Sequence, residues 1–170
     1  DEWTKFSFVS KINLNKKINA IKLRPTHNNI MRPGLGVGGY CLPKDPIFSG
    51  FSDKIFFKKN LKFPITDISL KINKNMFLSS LKFIKSKIKS FRNKKILILG
   101  AAYKNDVPDI RNSPSIDLAK RLKNFGSKII VHDPVFKDVY KSLKIVNILP
   151  KFKDFDLIIF SVKHLHYLKI

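Results

Sequence analysis

The sequence predicts an α/β protein with a mainly helical region, residues 1–91, followed by a parallel-sheet domain, residues 92–170. Three observations lead to this prediction. Apolar residues recur at the helical period of about 3.6 residues in the first region. Short apolar runs of the kind typical of buried parallel strands begin after Asn93. Between the first two of these runs lies a segment with its own helix start and stop signals.

The helical region contains two periodic segments separated by a long loop. The first predicted helix covers residues 13–22, with Asn13 as its N-cap. It ends before Pro25, because proline disfavours helical geometry at the residue before it. A second helical pattern runs over residues 65–91. Between them, residues 25–52 are rich in glycine and proline and are predicted to form an irregular loop.

The second region begins with a predicted strand at residues 95–99. A helix follows, with Ser113 as its N-cap and Gly126 as the residue after its end. Further strands are predicted at residues 129–131 and 157–160. Strand, helix and strand in this order form a right-handed βαβ unit, which is the start of a doubly wound sheet.

Composition narrows the class of protein. The 170 residues are 44% hydrophobic, which excludes intrinsic disorder despite a formal net charge of +22 from 34 basic and 12 acidic residues. No apolar run approaches the roughly 20 residues that span a bilayer. The single cysteine excludes a disulfide framework and a thiolate zinc site, and it favours a reducing compartment, the cytoplasm. The lysines interrupt apolar runs evenly, so we expect a solvated exterior and no nucleic-acid partner.

The sharpest local feature is the glycine-rich run at residues 34–41, GLGVGGYC. Its glycine spacing matches a dinucleotide-binding fingerprint in letters only, because no strand precedes it and Pro43 follows. The glycines leave backbone amides open to a closely approaching ligand. Lys44 and Asp45 follow the cysteine, so a nearby cation would favour the nucleophilic thiolate and a carboxylate could accept protons or orient water.

Two long motifs resemble one known family. Residues 36–46, GVGGYCLPKDP, resemble the catalytic-cysteine loop of the UDP-glucose/GDP-mannose dehydrogenase family, the nucleotide-sugar 6-dehydrogenases. Residues 99–114, LGAAYKNDVPDIRNSP, resemble that family's signature after the first strand of its sugar-nucleotide-binding domain. Residues 131–134, VHDP, are similar to the strand end that follows there. The motifs stand in the family's order, and the resemblance covers essentially the whole chain.

The resemblance implies a helical central dimerisation domain, with the catalytic-cysteine loop in residues 25–52, followed by a partial Rossmann-like domain that binds the nucleotide sugar. It implies an NAD-dependent, four-electron oxidation of a sugar C6 alcohol to a carboxylate, as used in polysaccharide biosynthesis. Cys41 would attack the intermediate aldehyde to give a thiohemiacetal, hydride loss would give a thioester, and water would cleave it. Asp45 matches the aspartate that assists proton transfer. A UDP-sugar substrate, two NAD per turnover and a homodimer are implied as well.

The resemblance also assigns binding roles to individual residues. The positions that match substrate-binding residues are Arg24, Arg32, Gly34, Gly36, Val37, Gly38, Tyr103 and Lys104. The positions that match cofactor-binding residues are Lys44 and Arg111. Arg24 matches with a shift of one residue an arginine that the family supplies across its dimer interface. The form of the glycine run favours the N-acetylhexosamine branch over the UDP-glucose branch. No metal site is expected, because the four histidines lack ligand spacing.

The family's N-terminal NAD-binding domain has no counterpart in this sequence. We therefore expect a C-terminal part of such an enzyme, incomplete at its own C-terminus and inactive by itself. Asp133 ends a strand where a dinucleotide fold would place a ribose-binding acid, but the proline after it favours a turn. Three alternatives stay open: a UDP-sugar-binding remnant without catalysis, a basic nucleic-acid-binding protein, and a remnant that binds nothing.

Overall fold

The computed structural model describes residues 2–136, 140 and 143–170. They fall into two compact units, Asp1–Gly34 and Leu35–Ile170. The helices are α1 (Glu2–Ser10), α2 (Leu14–Lys22), α3 (Phe48–Ser52), α4 (Pro64–Lys74), α5 (Met76–Lys87) and α6 (Pro114–Asn124). The strands are β1 (Lys95–Leu99), β2 (Lys128–His132), β3 (Lys144–Val146) and β4 (Leu157–Phe160). Among these described residues, no helix combines the length and the apolar character needed to cross a bilayer.

The first unit contains α1 and α2. Asn13 Oδ1 accepts a hydrogen bond from the Lys16 N–H at 3.1 Å, which confirms the predicted N-cap of α2. Ile18 on this helix is buried. Helix α2 ends at Lys22, and a 3-10 turn at Pro25–His27 follows, because the proline prevents the helix from continuing through it.

The second helical pattern forms two helices instead of the single one predicted over residues 65–91. Asn75 separates α4 from α5 with φ −103° and ψ 4°. Its side chain donates to the Lys71 carbonyl at 2.9 Å, a local bond that competes with regular helix continuation. Leu81 and Ile84 on α5, and Ile88 directly after it, pack into the core beside the sheet. The apolar residues that gave α5 its helical period therefore pack inside the second unit.

The sheet has four parallel strands in the order β3-β2-β1-β4. Residues 96–99 of β1 are fully buried and point alternately to the two faces. Ile96 and Ile98 pack with α6, whereas Leu97 and Leu99 pack with Tyr167 on the other face. The predicted α/β class is confirmed. The sequence analysis missed β3, because three residues are too few to show a periodic pattern.

Asp133 closes the turn after β2 and ties it to the segment after β1. Its Oδ2 accepts the N–H groups of Ala101 and Ala102, both at 2.8 Å. Its Oδ1 accepts those of Val135 and Phe136, both at 3.0 Å. The residue is completely buried. Both carboxylate oxygens are thus occupied by backbone donors, and the turn role favoured by Pro134 is confirmed.

His164 fixes the far end of the same segment. Its Nδ1 accepts the Asp106 N–H at 2.9 Å, and its Nε2 lies 3.2 Å from Asp133 Oδ2. In return, Asp106 Oδ1 accepts the Leu165 N–H at 3.0 Å, a bond that holds the pKa of Asp106 below its usual range. Residues 101–106 are therefore anchored at both ends, which fixes the backbone on which Tyr103 and Lys104 stand.

Replacement of Asp133 by alanine should strongly destabilise the chain, because four backbone N–H groups, two of them fully buried, would lose their acceptor. We expect Asp133→Ala to lower the free energy of unfolding by about 3 kcal/mol or more, measured by urea denaturation. Asp117→Asn is the matched control, because that exposed carboxylate has only a 3.9 Å contact with Lys120 and should change stability by less than about 0.5 kcal/mol. Equal effects of the two substitutions would contradict the assignment.

Candidate active site

The glycine-rich loop and the segment after β1 meet in the second unit. The Gly39 N–H donates to the Arg111 carbonyl at 2.8 Å, and Asn112 Nδ2 donates to the Gly39 carbonyl at 2.9 Å. This reciprocal pair joins two motifs that are 73 residues apart in the chain. The two motifs singled out by the sequence analysis thus form one local structure.

Glycine is required where this loop passes Tyr103. A Cβ atom added at Gly38 would lie 2.6 Å from the Tyr103 Cβ and 2.7 Å from the Asn112 carbonyl oxygen. Gly39 has φ +89°, and a Cβ there would lie 2.9 Å from the Tyr103 ring. Such approaches exclude any larger side chain. At these two positions, the close contact with Tyr103 accounts for the glycines.

Asn73, near the end of α4, holds the loop from another side. Its Oδ1 accepts the Val37 N–H at 2.7 Å, and its Nδ2 donates to the Val37 carbonyl at 2.8 Å. Sequence reasoning missed both Asn73 and Asn112. The available signals were weak: an asparagine is a poor helix former, and Asn112 occupies the left-handed region with φ +50°.

Cys41 is exposed and begins a tight turn. Its carbonyl oxygen accepts the N–H groups of Lys44 at 2.9 Å and Asp45 at 2.8 Å, which places these two residues in the same turn as the cysteine. Lys44 Nζ lies 2.6 Å from Asp45 Oδ1, and this contact raises the pKa of Lys44. The cation expected to act on the thiol is therefore paired with the carboxylate expected to move protons.

The two residues predicted to contact the cofactor flank one aromatic ring. Lys44 Nζ lies 4.6 Å from the centre of the Tyr40 ring, and the Arg111 guanidinium carbon lies 5.0 Å from it. Asp109 binds Arg111 through both carboxylate oxygens, and this pairing holds the pKa of Asp109 below its usual range. The Arg111 side chain nonetheless keeps 61% of its surface exposed. Two cations thus lie against one aromatic ring beside the Cys41 turn.

The remaining predicted residues have different surroundings. Arg24, Arg32 and Gly34 belong to the first unit, where Arg32 donates to Asn15 Oδ1 at 3.1 Å and to Asn19 Oδ1 at 2.6 Å. Lys104 is exposed, and in the described part of the chain its ammonium group makes no ion pair. The described residues contain no group of three or more histidine, cysteine or acidic side chains suited to a metal ion.

A cavity of about 380 Å³ lies beside the glycine-rich loop at Val37. The residues that line it include Val37, Asn73, Asn112, Pro114 and Asp117. Its volume is in the range of small-molecule pockets, about 300–1,000 Å³. Part of a ligand of nucleotide-sugar size could therefore lie against the loop.

The sheet does not offer a dinucleotide site of the usual kind. In such a site, a glycine after the first strand leaves room for a pyrophosphate, and an acid after the second strand binds a ribose. Here a Cβ added at Gly100 would lie 2.5 Å from the Val162 Cβ, so the Val162 side chain already fills that space. Asp133 is fully buried, and backbone donors occupy both of its oxygens. These residues do not fit NAD on strands β1 to β4.

Comparison with known proteins identifies relatives of both regions. Residues 3–75 match the family model described as UDP-glucose/GDP-mannose dehydrogenase family, central domain, and residues 97–170 match its UDP binding domain. The UDP-N-acetyl-D-mannosamine dehydrogenase of Campylobacter jejuni is 30% identical over 159 residues, 88% of this chain and 38% of that protein. The Pyrococcus horikoshii protein of the same name is 31% identical over 131 residues, 74% of this chain and 30% of that protein. The chain spans about a third of the length of these relatives.

Solved structures agree with this match. The UDP-N-acetyl-mannosamine dehydrogenase of Staphylococcus aureus superposes with a TM-score of 0.75 at 28% identity, over 98% of this chain and 38% of that chain. The UDP-D-ManNAc dehydrogenase structure from Pyrococcus horikoshii gives a TM-score of 0.64 at 28% identity, over 89% of this chain and 35% of that chain. The architecture described above is therefore shared with these proteins.

Substitution of Gly38 tests the close contact between the loop and Tyr103. We expect Gly38→Ala to lower the free energy of unfolding by about 2 kcal/mol, because the added methyl group overlaps the Tyr103 Cβ and the Asn112 carbonyl. Gly50→Ala is the control: this glycine lies in α3, and a Cβ there would be 3.5 Å from the nearest atom, on the Phe63 ring. Its stability should stay the same or rise slightly. Chemical denaturation of both variants measures these free energies. A Gly38→Ala variant as stable as the parent would contradict the close contact with Tyr103.

Proposed function

The chain belongs to the UDP-glucose/GDP-mannose dehydrogenase family, and we propose that it is the part of a nucleotide-sugar 6-dehydrogenase that binds the UDP-sugar and carries the nucleophile. The observation that carries this proposal is the pair of hydrogen bonds between Gly39 and residues 111–112. They bring the Cys41 loop onto the segment that bears Tyr103 and Lys104. The thiol and two of the residues proposed to bind the substrate, Tyr103 and Lys104, are thereby carried by segments that are bonded to each other.

Cys41 is the proposed nucleophile. Its sulfur would bond to the carbon of the sugar aldehyde, with the thiol proton leaving to a base and a proton reaching the aldehyde oxygen, which gives a thiohemiacetal. Oxidation of that adduct gives a thioester, which water cleaves to the carboxylate. Asp45 is held within the same turn as Cys41 and would take up protons and orient the water. The contact with Lys44 restrains the Asp45 carboxylate for this role.

NAD would be the hydride acceptor in this reaction, but strands β1 to β4 do not provide its binding site. We therefore propose that the 170 residues alone do not complete a catalytic cycle. Lys44 and Arg111 remain the proposed contacts to the cofactor. Both cations are next to Tyr40, so a negatively charged group or an electron-poor ring could approach them together.

The proposed substrate is a UDP-N-acetylhexosamine. Both curated relatives described above carry the name UDP-N-acetyl-D-mannosamine dehydrogenase, and the glycine run favours the same branch.

A homodimer is proposed as well, since Ile65, Ile68 and Phe83 on α4 and α5 remain 83%, 57% and 47% exposed. A monomer mass at all concentrations in analytical ultracentrifugation would contradict the dimer. A cytoplasmic location stays a prediction from cysteine usage.

Alkylation of Cys41 tests the proposed site directly. Because the thiol is exposed, iodoacetamide should label the native chain, and UDP-N-acetylmannosamine at ten times its dissociation constant should slow labelling about tenfold. Cys41 is the only cysteine, so mass spectrometry reports this position alone. Lys104→Ala should raise the half-protecting concentration, whereas Lys82→Ala, another exposed lysine, should not. Labelling that no UDP-sugar slows would contradict the proposed site.

A turnover assay tests the proposal that the 170 residues alone do not complete a catalytic cycle. The purified chain, given a UDP-sugar and NAD, should form no NADH above the rate of a Cys41→Ser control, because the sheet does not fit the cofactor. The assay follows absorbance at the wavelength of the reduced nicotinamide. NADH formation that depends on Cys41 would show that these residues do hold NAD productively and would overturn this part of the proposal.

A further inference from the structure

We propose that Asn73 is a positioning residue for the Cys41 loop: its carboxamide fixes the peptide groups of Val37 and so sets the path of the backbone that leads to the thiol. The inference rests on the proposed function in one respect: the path of this backbone is taken to hold the reacting sugar. The hydrogen bonds themselves belong to the structure whatever the loop binds.

The geometry at Val37 is that of a two-point clamp. One carboxamide both accepts from the Val37 N–H, at 2.7 Å, and donates to the Val37 carbonyl, at 2.8 Å. Only asparagine and glutamine side chains offer a donor and an acceptor side by side in this way. The Val37 side chain is 50% exposed, so apolar packing contributes little to fixing this residue. The order of the loop at Val37 therefore depends on Asn73.

The end of α4 is placed so that this clamp can form. A Cβ added at Gly36 would lie 3.1 Å from the Asn73 carbonyl oxygen and 3.3 Å from Asn73 Oδ1, and Gly36 has φ +134°. The last turn of α4 thus lies directly against the loop, and only glycine adopts this backbone conformation easily. The helix break at Asn75 comes two residues after Asn73, so Asn73 reaches Val37 from the last turn of α4.

A second clamp holds the loop two residues later. The Gly39 N–H donates to the Arg111 carbonyl, and the Gly39 carbonyl accepts from Asn112. Gly38 lies between the clamps and is buried, yet among the described residues its own N–H and carbonyl have no hydrogen-bond partner. Buried backbone groups are normally paired. The position of Gly38 therefore depends on the two clamps and on its contact with Tyr103, because within the described part of the chain it makes no hydrogen bonds of its own.

Hydrogen exchange measured by NMR tests the clamp without a ligand. In Asn73→Ala, exchange of the Val37 amide should be about five- to tenfold faster, because its acceptor is lost, while the Leu97 amide in β1 stays within about twofold of the parent. Asn73→Asp keeps the acceptor and loses the donor, so it should fall between the parent and Asn73→Ala. Asn124→Ala is the matched control, since that exposed asparagine ends α6 and should leave Val37 unchanged.

Protection of Cys41 from iodoacetamide then connects the clamp to the ligand. The half-protecting concentration of UDP-N-acetylmannosamine should rise about five- to tenfold in Asn73→Ala and stay at the parent value in Asn124→Ala. Unchanged exchange at Val37, or equal acceleration at Leu97, would overturn the inference, as would protection identical to the parent. If the parent chain itself is not protected, the proposed function fails, whereas the exchange rate at Val37 still decides the role of Asn73.

Discussion

The structure of the candidate site depends on one close approach, in which the backbone at Gly38 and Gly39 passes Tyr103 at a distance that leaves no room for a Cβ atom. The approach allows the Gly39 peptide groups to bond to Arg111 and Asn112. It also sets where the following turn, with Cys41 at its start, can lie. A side chain at either glycine would separate the thiol from the residues proposed to bind the substrate.

This contact requires a rigid partner on the side of the sheet. The segment after β1 is rigid because Asp133 accepts the amides of Ala101 and Ala102, and because His164 holds Asp106. All of these bonds are formed by completely buried acceptor side chains. Buried groups of this kind cost much more to leave unpaired than they do in water, so the network favours a single arrangement. The acid that would bind a ribose in a dinucleotide fold thus has a structural role here.

Features that depend on local sequence could be predicted, whereas those that depend on distant contacts could not. The N-cap Asn13 and the position of β1 follow from short patterns and were predicted. The break at Asn75 was missed, because hydrophobic periodicity continues across it. Asn73 was missed, because its function depends on a loop 36 residues away that touches it only in the folded chain. The pairing of Lys44 with Asp45 likewise depends on side-chain geometry that spacing alone does not define.

The central claim is that these residues form the UDP-sugar and nucleophile part of the enzyme and that their sheet does not hold the dinucleotide. Isothermal titration calorimetry of the purified chain tests it most directly, with UDP-N-acetylmannosamine and NAD titrated separately. The account predicts saturable binding of the UDP-sugar with one site per chain, weakened by Lys104→Ala, and no saturable heat with NAD. Saturable binding of NAD together with no binding of the UDP-sugar would contradict it.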